Sequence, residues 1–395
     1  MRAHHLVQRV KVALIFSGCH RRGGVERSVW EMARHLRHAH DVTVVAQDID
    51  PDGLDGVELI SVPASRGGAL RPLAFAASAR KILRGRIFDR VVSFGVGDVG
   101  ADVLWVNSVH RAWLQASTTM PSPGGRDPRL RYLLPRHRVL LAMETWYFTR
   151  QTTKDIVVVA DQVGQDLTRL YGVNPSTLLT IHNGFAPDEF SLGRRLAARE
   201  EARAVHGYRD DDVVLLMAAN ELDRKGYAVT LRAMSAVGSP RPHLLLVGRA
   251  DPARFSGLVA ELGLQDRVRY GGSTDMAIAH AAADVFVLPT QYEAFCLAIV
   301  EALGSGLPVV TSRVPGAGDV VRHGESGLLL DDPTDVTELA AVLNEVLDDE
   351  RRSNLAAGAA PSVAHLTWSA LFDTAEAALL QPDEAPHNRS TPVVE

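Results

Sequence analysis

Residues Asp284 to Gly306 read DVFVLPTQYEAFCLAIVEALGSG. Asp284–Leu288 is a short apolar run, Pro289-Thr290 turns the chain, and a helix is expected to start near Phe295. A continuous apolar strand feeding a helix is the unit of a parallel sheet covered by helices on both faces. The helix start leaves backbone N–H groups free at about Phe295 to Ala298, which makes an anion site. Glu293 lies just before it and Glu301 lies within the helix. Eight helical residues span about 12 Å. Carboxylates so spaced can meet the two ends of an extended polyhydroxyl ligand, with phosphates at the amides between them. Two glutamates alone are more often ordinary surface residues of a helix, so the flanks decide.

The same pattern extends both ways. Upstream, strands read at Val10–Phe16, Val42–Ala46, Val57–Val62, Arg90–Ser93, Val103–Val106 and Ile156–Val159. Helices read at Val25–His38, Leu73–Arg84, Val139–Phe148 and Gln162–Tyr171. The series restarts with strands at Val213–Met217, His243–Val247, Val268–Tyr270, Asp284–Leu288, Pro308–Thr311 and Gly327–Leu330. Its helices read near Tyr227–Val237, Phe255–Leu262, Met276–Ala282, Ala298–Gly304 and Asp335–Leu347. This predicts an α/β protein of two doubly wound, Rossmann-like parallel-sheet domains, residues 1–185 and 186–365, joined near Asn183–Arg199. Residues 366–380 read as a last helix and 381–395 as a disordered, Pro-rich tail. Such sheets bind ligands at the carboxyl ends of their strands, so two of them form a cleft with a donor on one side and an acceptor on the other.

Composition sets bounds. The 395 residues are 46% hydrophobic and 23% charged, with mean hydropathy near zero, which suits a soluble two-domain protein. No window approaches a membrane span, and Val10–Phe16 reads as a strand rather than part of a signal peptide. Two cysteines, Cys19 and Cys296, argue against a disulfide framework and fit a reducing cytoplasm. Residues 1–185 hold 24 Lys and Arg against 16 Asp and Glu, and residues 186–395 hold 18 against 31. The basic half suits an anionic partner, although an Arg-rich solvated surface would look the same. Within it, residues 66–90 pair Leu73, Phe75, Ile82 and Leu83 with Arg71, Arg80, Lys81, Arg84 and Arg86. That stretch is either an interfacial helix at anionic lipid or an ordinary helix with a basic outer face. No nucleic-acid partner is expected.

Two further segments carry chemistry. Val213–Gly226 (VVLLMAANELDRKG) runs from a strand into a loop with Arg224 and Lys225. A departing diphosphate develops negative charge. No Asp-x-Asp stands at a strand end to hold Mg²⁺, so fixed cations are expected to serve and no metal site is expected. In Ser17–Leu36, Gly23 and Gly24 precede a helix, and glycines let backbone approach a phosphate or sugar. Gly95–Gly100 fits a dinucleotide fingerprint but leads into another apolar run, so nicotinamide binding is not expected. His35, His38 and His40 are read as a solvated cluster at an exposed helix end without carboxylate partners.

The combination Pro289-Thr290, Glu293, Glu301-Ala302-Leu303, Gly306 and Pro308-Val309-Val310 resembles the E-x7-E signature of the retaining GT-B-fold glycosyltransferases of family four. The resemblance extends over nearly the whole chain. It implies a metal-independent transferase, of hexosyltransferase type, taking a sugar from a nucleoside diphosphate-sugar to an acceptor. Glu301 would bind ribose hydroxyls and Glu293 the donor sugar. Amides of Phe295, Cys296 and Leu297 would hold phosphate or sugar oxygens. Arg224 and Lys225 would contact the diphosphate, and Gly23-Gly24, with Glu26, would lie over the donor. His110 would stand near the transferred sugar, His182–Phe185 would be a hinge, and the last helix, opened by Trp368, would cross back onto the first domain. Two departures matter. Ala294-Phe295-Cys296 replaces the usual Gly-Phe-Gly and narrows the sugar pocket, and Asn220 stands where other branches have an arginine. The alternatives are a GT-B-fold sugar-nucleotide epimerase, which usually lacks E-x7-E, and a non-catalytic sugar-nucleotide binding protein.

Overall fold

In the computed structural model, residues 9–63, 68–95, 100–118, 120, 127–150, 153, 155–238 and 241–380 are described. The first sheet has seven strands. From one edge they are Glu58–Ser61, Asp41–Ala46, Lys11–Ile15, Arg90–Phe94, Val103–Val106, Asp155–Val158 and Leu178–Thr180. The second has six: Val268–Gly272, His243–Val247, Val214–Ala218, Val285–Leu288, Val309–Ser312 and Gly327–Leu330. Every pairing in both sheets is parallel. The central strands are buried on both faces, which is why they read as unbroken apolar runs.

Both sheets reverse their winding direction at the first strand of the domain. In the first sheet the reversal lies between Lys11–Ile15 and Arg90–Phe94, and in the second between Val214–Ala218 and Val285–Leu288. Loops leaving adjacent strands there part in opposite directions and open a crevice. The segments Ser17–Gly24, Ala219–Gly226 and Pro289–Cys296 all leave such strands.

Several elements were not expected. Helix Leu192–His206 occupies much of the anticipated junction, and Asp349–Val363 and His110–Ser117 are also helical. The short strand Leu178–Thr180 closes one edge of the first sheet. The first of these helices carries no clean apolar stripe: only Ala202 and Arg203 are buried. Arg203 is held by carbonyls of Ala282, Arg209 and Asp212 and by Asp284. A buried arginine bound by backbone is invisible to a reading based on hydrophobic period.

The last helix, Trp368–Leu379, packs on the first domain's core through Trp368, Phe372, Ala375 and Leu379. It corrects the reading of the histidines. His40 is buried, and its Nε2 lies 3.2 Å from Glu376, while His35 Nε2 lies 3.2 Å from Asp373. Carboxylates brought by a helix more than 330 residues away supply the partners thought absent. The basic stretch also differs from a free amphipathic face. Helix Arg71–Arg84 turns Phe75, Ile82 and Leu83 onto a core of Ala13, Ile15, Val45 and Val91, leaving Leu73 exposed. Residue 66, the tail 381–395, and residues 96–99 of the glycine fingerprint lie outside the described residues. No helix among the described residues is long and apolar enough to cross a membrane.

Candidate active site

Glu293 is the centre of a buried cluster. Its Oε1 accepts from Arg224 Nη1 at 2.9 Å, from Lys225 Nζ and from Thr290 Oγ1 at 3.1 Å. Burial works to raise its pKa, but Lys225 and Arg224 outweigh that and hold the carboxyl below its ordinary value. Glu221 also pairs with Arg224, at 3.3 Å, from an exposed position. Within the buried core of the cluster two cations face one carboxylate.

Backbone packing explains how the sequence builds this cluster. Gly226 has φ +76°, and a Cβ there would lie 2.3 Å from the Pro289 carbonyl oxygen. Only glycine lets the Arg224-Lys225 loop press onto the Pro289-Thr290 turn. The Gln291 N–H then donates to the Arg224 carbonyl at 2.9 Å and locks the two loops together. Gly316 has φ +79°, and a Cβ there would lie 2.4 Å from the Ala294 carbonyl oxygen, so the loop after Ser312 closes on the Glu293-Ala294 turn in the same way.

The helix begins at Leu297 with Cys296 as its cap, two residues later than expected. This corrects one donor assignment. The Cys296 N–H donates to the Gly316 carbonyl at 3.0 Å and is not free for a ligand. Its thiol is buried 3.9 Å from Lys225 Nζ, and burial raises its pKa despite Lys225. Among the described residues no group takes up the first-turn amides of Leu297 and Ala298, as helix geometry allows. Phe295 stacks on His182 with centroids 5.6 Å apart and packs against both domain cores. Its bulk forms part of the seam between the domains.

Glu301 is buried one helix length away. Arg27 of the first domain reaches it, Nη1 to Oε1, at 3.2 Å. Burial pushes the Glu301 pKa up to about 7; Arg27 opposes this while Glu189 and Glu31 add to it. Arg27 was not singled out from sequence. It sits one residue after Glu26 in an amphipathic helix, and nothing local marks it as buried.

Gly23 has φ +102°, and Glu26 folds back so that a Cβ on Gly23 would meet its Oε2 at 2.5 Å. Gly24 caps the helix and faces Leu297 Cδ1 across the domain seam, 3.8 Å from where a Cβ would stand. A Cβ on Gly24 would make only ordinary contact there; it is Gly23, with its positive φ and Glu26 folded against it, that the turn requires. Asn220, in place of an arginine, accepts from the Arg249 N–H at 2.8 Å and ties two loops of the second domain.

His110 heads helix His110–Ser117, with its own N–H and that of Arg111 donated to Glu144. Its Nε2 lies 3.0 Å from His137 Nδ1 and its ring stacks on Trp113 and His137. Burial, then His137 and Arg136, push its pKa down to about 4, so it is neutral near pH 7. Among the described residues no hydrogen bond or ion pair links it to Glu293, Arg224 or Lys225. Trp113 on the same helix does reach the cleft. With Met120 and Arg131 it faces Leu222, Arg224 and Arg254 of the second domain across a cavity of about 380 Å³.

Comparison with known proteins gives the family of this chain. Residues 22–189 match the glycosyltransferase family 4 domain, and residues 198–360 match the glycosyl transferases group 1 domain. The chain belongs to the family-four glycosyltransferases. It is 26% identical over 331 residues to the Escherichia coli lipopolysaccharide glucosyltransferase WaaG, covering 82% of this chain and 86% of WaaG. It is 32% identical to the D-inositol 3-phosphate glycosyltransferase 2 of Catenulispora acidiphila over 54% of this chain and 53% of that one. The chain thus matches about half the length of that relative. The WaaG crystal structure superposes with a TM-score of 0.80 at 24% identity, over 93% of this chain and 99% of WaaG. Anabaena HepE in complex with UDP-glucose superposes at 0.71 and 18% identity, over 94% and 100%. These likenesses establish the GT-B fold for this glycosyltransferase.

Proposed function

We propose that this glycosyltransferase moves a sugar from a nucleoside diphosphate-sugar to an acceptor, with retention at the anomeric carbon and without a metal ion. The observation that carries this reading is the convergence of Arg224 and Lys225 on Glu293 beside the start of helix Leu297–Gly304. One carboxylate leaves that buried group with a surplus positive charge, next to uncommitted amides, and a diphosphate supplies the matching anion. HepE binding UDP-glucose in the same fold supports a nucleotide-sugar donor.

In this reading Glu301 binds the ribose hydroxyls and Glu293 the donor sugar. The amides of Leu297 and Phe295 hold phosphate or sugar oxygens, under the Gly23-Gly24 loop. Neutral His110 stands beside the transferred sugar and buttresses Trp113. A double displacement would need a carboxylate beneath the anomeric carbon. Glu293, the carboxylate beside the donor sugar among the described residues, is instead bound by two cations. We therefore favour departure and attack on one face. The bond from anomeric carbon to phosphate oxygen breaks, with Arg224 and Lys225 stabilising the leaving diphosphate. The acceptor oxygen bonds to that carbon from the same side, and its proton passes to a leaving phosphate oxygen.

The acceptor occupies the cavity between Trp113 and Arg131 on one side and Leu222 and Arg224 on the other. Contact with an anionic membrane is a further part of this reading. Leu70, Leu73, Leu130, Leu133 and Leu134 are all exposed in the basic first domain. The test of the whole reading is incubation with UDP-, GDP-, ADP- and TDP-sugars, followed by NMR of the products. Release of nucleoside diphosphate with an α-linked product from an α-linked donor sustains it. Interconversion of the sugar with the nucleotide still attached would show an epimerase instead.

A further inference from the structure

The proposed donor site lies in the second domain, yet its buried carboxylate Glu301 is held from the first. Arg27 is the third residue of helix Val25–Leu36. Besides Glu301, its guanidinium donates to Glu189 Oε2 at 2.8 Å and Glu31 Oε1 at 3.4 Å, and lies over the Phe190 ring at 5.2 Å. Glu189 and Phe190 belong to the segment joining the two sheets. One side chain therefore ties the first domain, the connection and the donor helix together. The Arg27 and Glu301 side chains are 9% and 8% exposed.

Among the described residues, the charged groups that act on Glu301 belong to this cluster. Arg27 attracts its charge; Glu189 and Glu31 oppose it. Those two are in turn satisfied by Arg21, which pairs with Glu189, and by Arg34, 3.2 Å from Glu31. Arg27 takes up Oε1 of Glu301, while Oε2 has no hydrogen-bond partner among the described residues. An ionised carboxylate accepts at both oxygens, whereas a protonated one turns an acceptor into a donor. Hydroxyls of a ribose need acceptors.

We propose that Arg27 is a positioning residue of the nucleotide site, contributed by the opposite domain, which holds Glu301 by one oxygen and turns the other free for the ribose hydroxyls. This rests on the reading of Glu301 as the ribose ligand. It makes the nucleotide site composite: the site is complete only while the two domains hold the observed relation. Donor binding and domain closure then favour each other.

The test is calorimetric binding of UDP, GDP, ADP and TDP, continued with the tightest of the four and its 2′,3′-dideoxy counterpart. The quantity read is the ratio of the two affinities, from pH 5.5 to 8.5, which cancels titration of the phosphates. In the wild type the ratio falls as pH drops through about 7. Arg27→Ala lowers the ratio about tenfold at neutral pH, the worth of a hydrogen bond to a charged group. It also moves the fall to higher pH. Glu301→Ala abolishes the preference for ribose. A Glu301→Ala protein that still prefers ribose removes the ribose reading itself. Loss of preference in Glu301→Ala with an unchanged ratio and midpoint in Arg27→Ala overturns the role of Arg27 alone. Glu189→Gln, which retains Arg27 and removes a repelling charge, moves the midpoint to lower pH; if Arg27→Ala does not fold, an unmoved midpoint in Glu189→Gln overturns the proposal.

Discussion

Lys225 Nζ donates to Glu293 Oε1 in a pair buried at the crevice between the domains. Breaking such a pair leaves the other charge buried and uncompensated. In the proposed reading, the pair holds both side chains where a donor would arrive.

Charge on the leaving diphosphate is greatest in the transition state, so a cation placed there acts mainly on rate. Lys225→Ala is expected to lower kcat by about 10²–10³-fold with a smaller change in donor KM. Glu301→Ala, losing contact with ribose, is expected to raise KM more than it lowers kcat. Steady-state kinetics separate the two. A Lys225→Ala enzyme with near-wild-type kcat would remove Lys225 from leaving-group stabilisation.

Activity is expected to survive excess EDTA, because in the proposed mechanism Arg224, Lys225 and helix-start amides would replace a divalent ion. Turnover measured after chelation and desalting decides it. Loss of activity restored by Mg²⁺ or Mn²⁺ is the contrary outcome.

Gly226 and Gly172 both have positive φ, +76° and +70°, but only Gly226 has backbone in the way of a Cβ. Gly172→Ala is expected to cost about 1–2 kcal/mol, the strain of a left-handed alanine. Gly226→Ala must also move the Pro289 turn and is expected to cost more than about 3 kcal/mol and to abolish turnover. Urea melts of the two variants, compared with wild type, provide the measurement. Equal losses would mean that the Pro289 contact is soft.

His280 is fully buried beside Ser305, its Nδ1 at 3.1 Å from Oγ, and burial with Arg195 pushes its pKa down to about 3. The unfolded chain binds this proton near the ordinary histidine value of about 6.5. Between those values the unfolded state holds more protons, so stability is full above pH 6.5 and falls as pH drops towards 3. Melting temperature is expected to decline from pH 7 to pH 5, and the decline to be shallower in His280→Gln. A variant with the wild-type slope would assign the acid sensitivity elsewhere.

Sedimentation with anionic vesicles at low salt tests the membrane contact. Binding is expected, and Leu133→Asp with Leu134→Asp is expected to weaken it at least about tenfold, since each change removes apolar contact and adds a repelled charge. No binding by the wild-type protein would remove the membrane from the function.

The two sheets and their parallel winding were legible in the amino-acid order, whereas Glu293, Glu301, Arg224 and Lys225 stood out as a site only through the resemblance to the family pattern. Strands buried on both faces leave unbroken apolar runs, and helix starts leave turns and small residues, so periodicity alone locates them. The crossing of the last helix onto the first domain followed only from resemblance. Three features had no local trace. Helix Leu192–His206 is anchored by Arg203 on distant carbonyls, the Cys296 amide is consumed by Gly316, and Arg27 crosses the cleft to Glu301. Each is a polar partnership between segments remote in the chain. A side chain's polarity is encoded at its own position, but its partner is chosen by packing. Tertiary structure therefore decided which amides stayed free, which histidines gained carboxylates, and which charges of the two halves met in the site.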